Sequence, residues 1–583
     1  MNSLFSRLDL SKWVLGSWIA LFATSIIFIP TQISKNYFDS LAFPHIIFLT
    51  LSAFAFTGIL FFKKGFQYLG FSESISISLL IVSCTISVLK SGNPISSLTG
   101  DTQRFTGAIS LFALLTILIY HSNITIDKTK SLIIGICSIA TLVTVLGALQ
   151  QWKLITLPGA GGAGSTLGNI DFLSAWIGTT IPLFLFLLTK NNLRKNGLVI
   201  AELLLSVYLL IALDVKQGWV DLILATIFGL IYLVRYRIKA LNLSKKTIYW
   251  AFGLVGFLWV ELVLLVPFQK TKVPLIGTDP NVQIRTQYWL TGLKIFFQRL
   301  YFGVGPDNYG NYYQQYRTLT SVLREENITS NDAHSALFQT ISTLGLFGSL
   351  AFLFIFIILA RAIWINFYRY PNQRKLIFFS VAFFVIYSTN AIISPITLPH
   401  KFIFWAMVGL MFGLAYTPSE FNLDKFKIIL RPLVSVSVLV SVVVITLFSI
   451  AQVNLIRGIN GLENNFKSPR VQNYQHSSML PCTYYYLTEQ TLASQKSTEK
   501  VIKFAEAEVK TNPRCIDARL TLAKYYFATG DSVHIGPAIR TLMEMAPANR
   551  EVLGLVGQIA TKLGDRSLLL AIHNQEVKLG FLK

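Results

Sequence analysis

The sequence predicts an all-α protein, a polytopic membrane domain of about 13 transmembrane helices followed by a soluble helical tail. Three observations carry this reading. Apolar runs of roughly 16–22 residues recur from position 13 to 450, each long enough to cross a bilayer as a helix. The chain is 53% hydrophobic and only 13% charged, with a mean hydropathy of +0.56; soluble domains carry about 25% charged residues. Beyond residue 450 the composition turns to that of a soluble domain. The expected division is therefore 1–450 for the membrane domain, with one large loop at 268–344, and 451–583 for the tail.

In chain order, spans are expected near 13–30, 43–62, 75–90, 105–120, 131–150, 173–189, 198–213, 218–234, 248–267, 345–364, 376–393, 400–416 and 432–450, with 75–90 and 400–416 the weakest. Trp13 to Pro30 follows Arg7 and Lys12 and has no small-residue cleavage site after it, so it reads as an uncleaved first span. The net charge of +22 would suggest nucleic acid on a soluble chain. Here the cations are better explained by loop orientation. With the N-terminus cytoplasmic, the inner connections hold Lys63, Lys64, Arg194, Lys195, Arg235, Arg237, Arg374, Lys375 and others. The short outer loops hold only Lys35, Lys90, Arg104, Lys153, Lys216 and Lys401, an asymmetry of roughly three to one. This arrangement leaves the large loop and the tail on the outer side, and nucleic acid is not an expected partner.

In the tail, Asn512-Pro513 and Ala546-Pro547 stand 34 residues apart, as do Gly530-Asp531 and Gly564-Asp565. Small or apolar residues recur between them at helical spacing. A 34-residue period with these turns is the tetratricopeptide signature, and Thr483 to Lys510 reads as a degenerate third copy. Such a domain binds a protein partner or braces its own chain. Cys482 and Cys515 both lie in it and can close a disulfide in an oxidising compartment; two unrelated thiols is the alternative. Cys84 and Cys137 fall inside spans.

The large loop carries the chemistry. Arg285 opens Arg285-Thr286-Gln287-Tyr288-Trp289 and an amphipathic stretch to Arg299. Phe302-Gly303-Val304-Gly305-Pro306 is a turn whose glycines let backbone approach something closely. His334 precedes a helical pattern, with Asn331 or Asp332 as the expected N-cap, which puts His334 in the first helical turn. A neutral imidazole there accepts a proton near pH 7. Helix amides and Arg285 favour an anion beside it. Base and anion clamp together suit removal of a group from a phosphate leaving group. Arg317, beside Tyr312, Tyr313 and Tyr316, forms an aromatic and basic cluster that could bind sugar. No metal site is expected, since HExxH, CxxC and outer carboxylate clusters are missing, and Gly159–Gly164 lacks the Lys-Ser/Thr of a nucleotide loop. No cofactor is expected.

The order Arg285…Trp289, Phe302-Gly303-Val304-Gly305-Pro306-Asp307-Asn308-Tyr309, Asn331-Asp332-Ala333-His334 and Leu344-Gly345-Leu346-Phe347-Gly348 resembles the O-antigen ligase / O-antigen polymerase superfamily. The likeness extends over most of 90–415. It takes in Gly100 to Gly107, similar to an outer-loop motif, and Gly168-Asn169-Ile170-Asp171, where members often have Gly-Asn-Pro-Asn. The resemblance implies a GT-C-like, metal-independent, inverting glycosyltransferase of the bacterial inner membrane. Its donor would be an undecaprenyl-pyrophosphate-linked glycan. Its acceptor would be a hydroxyl on lipid A–core, on another glycan or on a protein. His334 would be the base and Arg285 the pyrophosphate ligand, with Arg104 in a supporting role. Many members have Ser-Arg-Gly where this chain has Lys216-Gln217-Gly218, so Lys216 and Gln217 would both contact the pyrophosphate-linked glycan, Lys216 supplying the charge without a bidentate fork. Thr343 stands where members tend to have Glu.

Ligase, polymerase and protein O-oligosaccharyltransferase remain open at this stage. A transporter or flippase would rest on Asp221 and Glu261 inside spans, but it predicts more intramembrane charges and shorter loops. A scaffold acting only through its tail leaves the loop motifs without a role.

Overall fold

The structure is a computed structural model that describes residues 11–26, 41–62, 69–101, 104–157, 160, 162–189, 193–236, 280–325, 329–416, 424–464, 482 and 498–581. Among these residues every regular element is helical. The membrane domain runs α1 (Lys12–Ile26), α2 (Ala42–Phe62), α3 (Phe71–Lys90), α4 (Pro94–Thr99), α5 (Ala108–His121), α6 (Thr129–Gln151), α7 (Ile170–Leu187), α8 (Leu193–Leu213) and α9 (Lys216–Tyr236). The loop contributes α10 (Pro280–Gln298), α11 (Tyr309–Tyr316) and α12 (Leu319–Arg324). Then follow α13 (Ala336–Arg369), α14 (Arg374–Ile393), α15 (Leu398–Ala415) and α16 (Asp424–Asn464). The tail holds α17 (Thr498–Thr511), α18 (Ile516–Thr529), α19 (Ser532–Met545), α20 (Arg550–Leu563) and α21 (Arg566–Lys578).

Ten of the described helices are long and apolar enough to cross a membrane, and α1 and α5 are shorter apolar helices. The protein is a multi-pass membrane protein. Each expected span falls on a described helix except 248–267, which lies, with Glu261, outside the described residues. The two weakest spans prove to be full helices, while the short ones are α1 and α5. The reason is burial. Helix α15 is 89% buried over its apolar window, so its polar residues meet protein. Helix α3 has serines that bond to neighbouring backbone, described below. Helix α5 is buried almost throughout and packs against α2 and α15, forming the centre of the core. The outward side chains of α13, including Phe347, Leu350, Leu353, Phe356 and Ile357, are exposed apolar groups of the kind that face lipid.

Helix α13 starts at Ala336, nine residues before the expected span, because it is two helices joined at a break. Gly345 has φ 65° and ψ −161°, outside helical space. An unbroken helix would bond Leu346 N–H to Ser342 O and Phe347 N–H to Thr343 O. Here all four groups find partners on the 300–305 turn. Leu346 N donates to Leu300 O at 2.7 Å and Phe347 N to Tyr301 O at 3.2 Å. Val304 N donates to Ser342 O at 3.1 Å and Gly305 N to Thr343 O at 2.9 Å. The Ser87 hydroxyl on α3 lies 2.6 Å from Phe302 O and 2.9 Å from Thr343 O, and the Ser91 hydroxyl donates to Val304 O at 2.9 Å. Asn308 Nδ2 adds bonds to the Ser91 and Ser97 hydroxyls at 2.7 and 2.6 Å. The glycine turn and the Gly345 motif are thus two halves of one backbone junction.

In the tail, α18 and α20 begin 34 residues apart, as do α19 and α21, from Ile516 to Arg550 and from Ser532 to Arg566. Gly530 and Gly564 end the first helix of each pair in the left-handed conformation that favours glycine. Asp531 and Asp565 cap the second. Cys482 and Cys515 are bonded, with Cα atoms 5.2 Å apart. Residues 483–497, most of the expected third copy outside α17, lie outside the described residues. The tail packs on the loop: Val322 of α12 is buried in the tail's core. Arg514 lies 3.7 Å over the Tyr312 ring and donates to Asn311 O at 3.0 Å and Gln315 Oε1 at 2.8 Å.

A Cβ at Gly345 would stand 2.6 Å from Phe302 N and would occupy a positive-φ position. Gly345→Ala is expected to cost at least about 1–3 kcal/mol from strain alone. It should lower the thermal midpoint of the detergent-purified protein, and an unchanged melt would contradict the junction.

Candidate functional site

The junction delivers the 302–309 turn to the 100–106 segment. Asp307, buried and at φ 57°, accepts Asp101 N–H at 2.8 Å and Thr106 N–H at 3.0 Å through Oδ2. Burial pushes its carboxyl above the ordinary range, opposed by those amides and by Lys401. Arg104, in the same segment, pairs with Asp332 at 3.0 Å. Asp332 also accepts His334 N–H at 2.6 Å through Oδ1. One carboxylate therefore holds both the guanidinium and the histidine backbone.

His334 does not sit in the first turn of the helix. The N-cap of α13 is Ser335, without a side-chain cap bond, and His334 precedes it at φ 51°. Asp332 folds a tight turn around His334 instead of capping α13. A non-glycine residue at positive φ is strained, and the turn is held by Asp332 and by Gln339, whose Oε1 accepts Ala333 N–H at 2.9 Å. The His334 ring lies against Tyr288, with centroids 5.2 Å apart. Its Nδ1 is buried and has no hydrogen-bond partner among the described residues, which leaves Nε2 on the accessible side of this half-buried ring. Burial, with the Arg104 and Arg285 charges, lowers the imidazole to about 4, against the opposing pull of Asp332. At neutral pH it is uncharged and can accept a proton.

Arg285 on α10 donates to Ile393 O at the end of α14 at 2.8 Å and faces Asp171 at 4.0 Å. Burial lowers its ordinarily very high pKa, and Asp171 opposes the shift. Tyr309 Oη donates to Tyr288 O at 2.7 Å, and Trp289 stacks on Phe338 with ring centroids 5.3 Å apart, so α10 has a core of its own beneath the site. His334, Arg285 and Arg104 are thus brought together from three separate parts of the chain. Lys401, at the start of α15, joins them through its charge interactions with Asp307, Asp332 and Arg104.

The other expected contacts fall elsewhere. Gln217 is buried and donates to Asn390 Oδ1, which places its amide inside the bundle, one turn of α14 from the Arg285 anchor. Asn390 in turn donates to the buried Asp221 at 2.9 Å, so Asp221 belongs to a structural network. Lys216 is exposed at the start of α9. Arg317 is buried, and its Nη2 donates to Ser321 O at 2.9 Å and Glu325 O at 2.6 Å. Tyr312 and Tyr313 are buried in the loop core. The expected sugar-binding cluster is therefore packing that holds α11 and α12 together. Thr343 is buried in the junction. Sequence reasoning missed Lys401, Asp307 and Asp171. A cation at the mouth of an apolar span was the signal available for Lys401, and it was read only as loop charge.

A cavity of about 420 Å³ opens beside Arg104. Leu41, Ala42, Leu167, Phe172, Ile396 and Leu398 give it apolar walls, and Gly168, Asn169 and Arg104 line it as well. Asn169 caps α7 two residues before Asp171, the partner of Arg285.

Residues 201–353 match the family model described as O-Antigen ligase. The chain carries an O-antigen ligase domain. That match supports a membrane glycan enzyme of the ligase and polymerase type. The matched segment contains Arg285 and His334; Arg104 and Lys401 lie outside it and reach the site through the fold. Comparison with curated proteins finds no match to this chain.

Asp332→Asn keeps an acceptor for His334 N–H and removes the charge that raises the imidazole. The acid limb of the transfer rate is expected to move to lower pH, and kcat to fall about tenfold as the base weakens and Arg104 loses its anchor. An unmoved limb, or one at higher pH, would contradict this arrangement.

Proposed function

We propose that the protein transfers a glycan from an undecaprenyl pyrophosphate carrier to an acceptor hydroxyl on the outer face of the bacterial inner membrane, as an O-antigen ligase does. The observation that carries the reading is a neutral, accessible His334 Nε2 flanked by Arg104 and Arg285. In the step proposed, the acceptor oxygen attacks the anomeric carbon on the face opposite the pyrophosphate. His334 Nε2 takes the hydroxyl proton and later returns it to water. The carbon–oxygen bond to the pyrophosphate breaks, its electron pair leaves with the phosphate, and the anomeric centre inverts. Arg285, Arg104 and Lys401 meet the charge on the leaving group, so transfer should continue in the presence of a chelator. The cavity beside Arg104 suits the carrier, with apolar walls for isoprenoid and a guanidinium for phosphate. The asymmetry of loop cations and the Cys482–Cys515 bond support an outer location for loop and tail. The tail's 34-residue offset supports a tetratricopeptide-like array, which would brace the loop.

His334→Ala is expected to leave the protein inserted and abundant in cells while surface glycan attachment is lost. Full retention would remove His334 as the base. Bound pyrophosphate offsets the two guanidinium charges that lower the imidazole, so the acid limb of kcat should lie at higher pH than that of kcat/KM. Coincident limbs would separate the clamp from the base.

A further inference from the structure

A second cavity, of about 300 Å³, lies between the loop helices and the tail. It is distinct from the one beside Arg104, and most of the described residues that line it are of polar type. Asn93, Asn311, Gln314, Asn331, Asn512 and Asn549 all border it. Three of these amides are tied down at one end. Asn93 Oδ1 accepts Arg514 N–H at 3.3 Å, and Asn549 Oδ1 accepts Glu551 N–H at 2.9 Å. Asn311 Nδ2 donates to Asn308 Oδ1 at 2.7 Å. Among the described residues the opposite ends, Asn93 Nδ2, Asn549 Nδ2 and Asn311 Oδ1, make no bond, and neither end of the Asn331 amide does. The cavity therefore presents both donors and acceptors, three of them on amides held at the other end, which is what hydroxyls need, since each hydroxyl both donates and accepts.

Its charge and composition select among ligands. Among the described residues Asp101, Asp307 and Asp517 line it against a single cation, Arg514, whose guanidinium already holds Asn311 O, Gln315 and the Tyr312 ring. That balance disfavours phosphate and other anions. Among the described residues Ile516 is the one aliphatic side chain in the lining. The volume falls at the lower edge of the roughly 300–1,000 Å³ of small-ligand sites. The inner wall touches the reaction centre: Asp307 is an electrostatic neighbour of Lys401, and Asn331 directly precedes Asp332.

We propose that this cleft between loop and tail is a saccharide-binding subsite that holds an uncharged oligosaccharide segment next to the reacting sugar. The inference rests on the glycan-transfer reading and adds a role for the tail, which supplies one wall of the subsite.

The test uses the full chain in lipid nanodiscs. The probe is oligosaccharide released by mild acid from the cell's own polyprenyl-pyrophosphate pool, titrated by calorimetry, with inorganic phosphate as a control. The unaltered protein and His334→Ala should bind the oligosaccharide alike. Asn331→Trp, which fills the cleft, should weaken binding at least tenfold, and Asn331→Ala, which only removes the amide, should weaken it less. In transfer assays Asn331→Trp should raise KM for the full donor and leave a donor bearing one sugar unaffected. No binding by the unaltered protein, binding of phosphate alone, or equal binding by both Asn331 variants and the unaltered protein would overturn the subsite. Oligosaccharide binding without any transfer would overturn the transfer reading and leave the subsite standing.

Discussion

The site depends on a helix that is broken on purpose. At Gly345 two helical hydrogen bonds are given up, and the four groups they free are taken over by Leu300, Tyr301, Val304 and Gly305. In a membrane domain unpaired backbone groups are costly, so the exchange must be complete for the break to persist. Completeness makes it rigid. The 300–305 turn cannot slide along α13 without exposing several groups at once, and Ser87 of α3 and Ser91 just after it hold the same turn. Asp307 and Asn308 follow immediately in the chain and inherit this position.

From that anchor the charges are placed by short steps. Asp307 gathers the Asp101 and Thr106 amides, which brings Arg104 to Asp332. Asp332 then holds His334 in a strained conformation. Arg285 arrives separately, tied to the end of α14. The cations Arg104, Arg285 and Lys401 are each matched by a carboxylate nearby, which makes their partial burial tolerable. An anionic leaving group would enter a field of fixed guanidinium groups without their having to move, the condition under which electrostatic stabilisation is strongest.

Much of this was legible in the sequence. Apolar length located the helices because lipid imposes a span length. The glycines at 303, 305 and 345 announced a close backbone approach, although not that they approach one another; that pairing is tertiary and leaves no local trace. His334 and Arg285 were readable from residue type and order. The turn at His334 was misread because Asp332 has the same preference for an Asx turn as for a helix cap. Arg317 and its tyrosines looked like a sugar platform, since aromatic and basic residues have that composition whether they face a ligand or a loop core. Gln217 was misplaced because the sequence does not show which way a residue at a span end points. Lys401 is far from the loop in the chain, and only the packing of α15 at the centre of the bundle brings it to Asp307 and Asp332.

The most direct test is transfer by the purified protein from a polyprenyl-pyrophosphate-linked oligosaccharide, with chelator present and lipid A–core, carrier-linked repeat and a periplasmic protein pool offered in parallel. The account predicts glycosylated product on one of these acceptors, with stoichiometric release of polyprenyl pyrophosphate and an inverted linkage. Well-folded protein that binds the donor yet forms no product on any acceptor, or product with retained anomeric configuration, would contradict it.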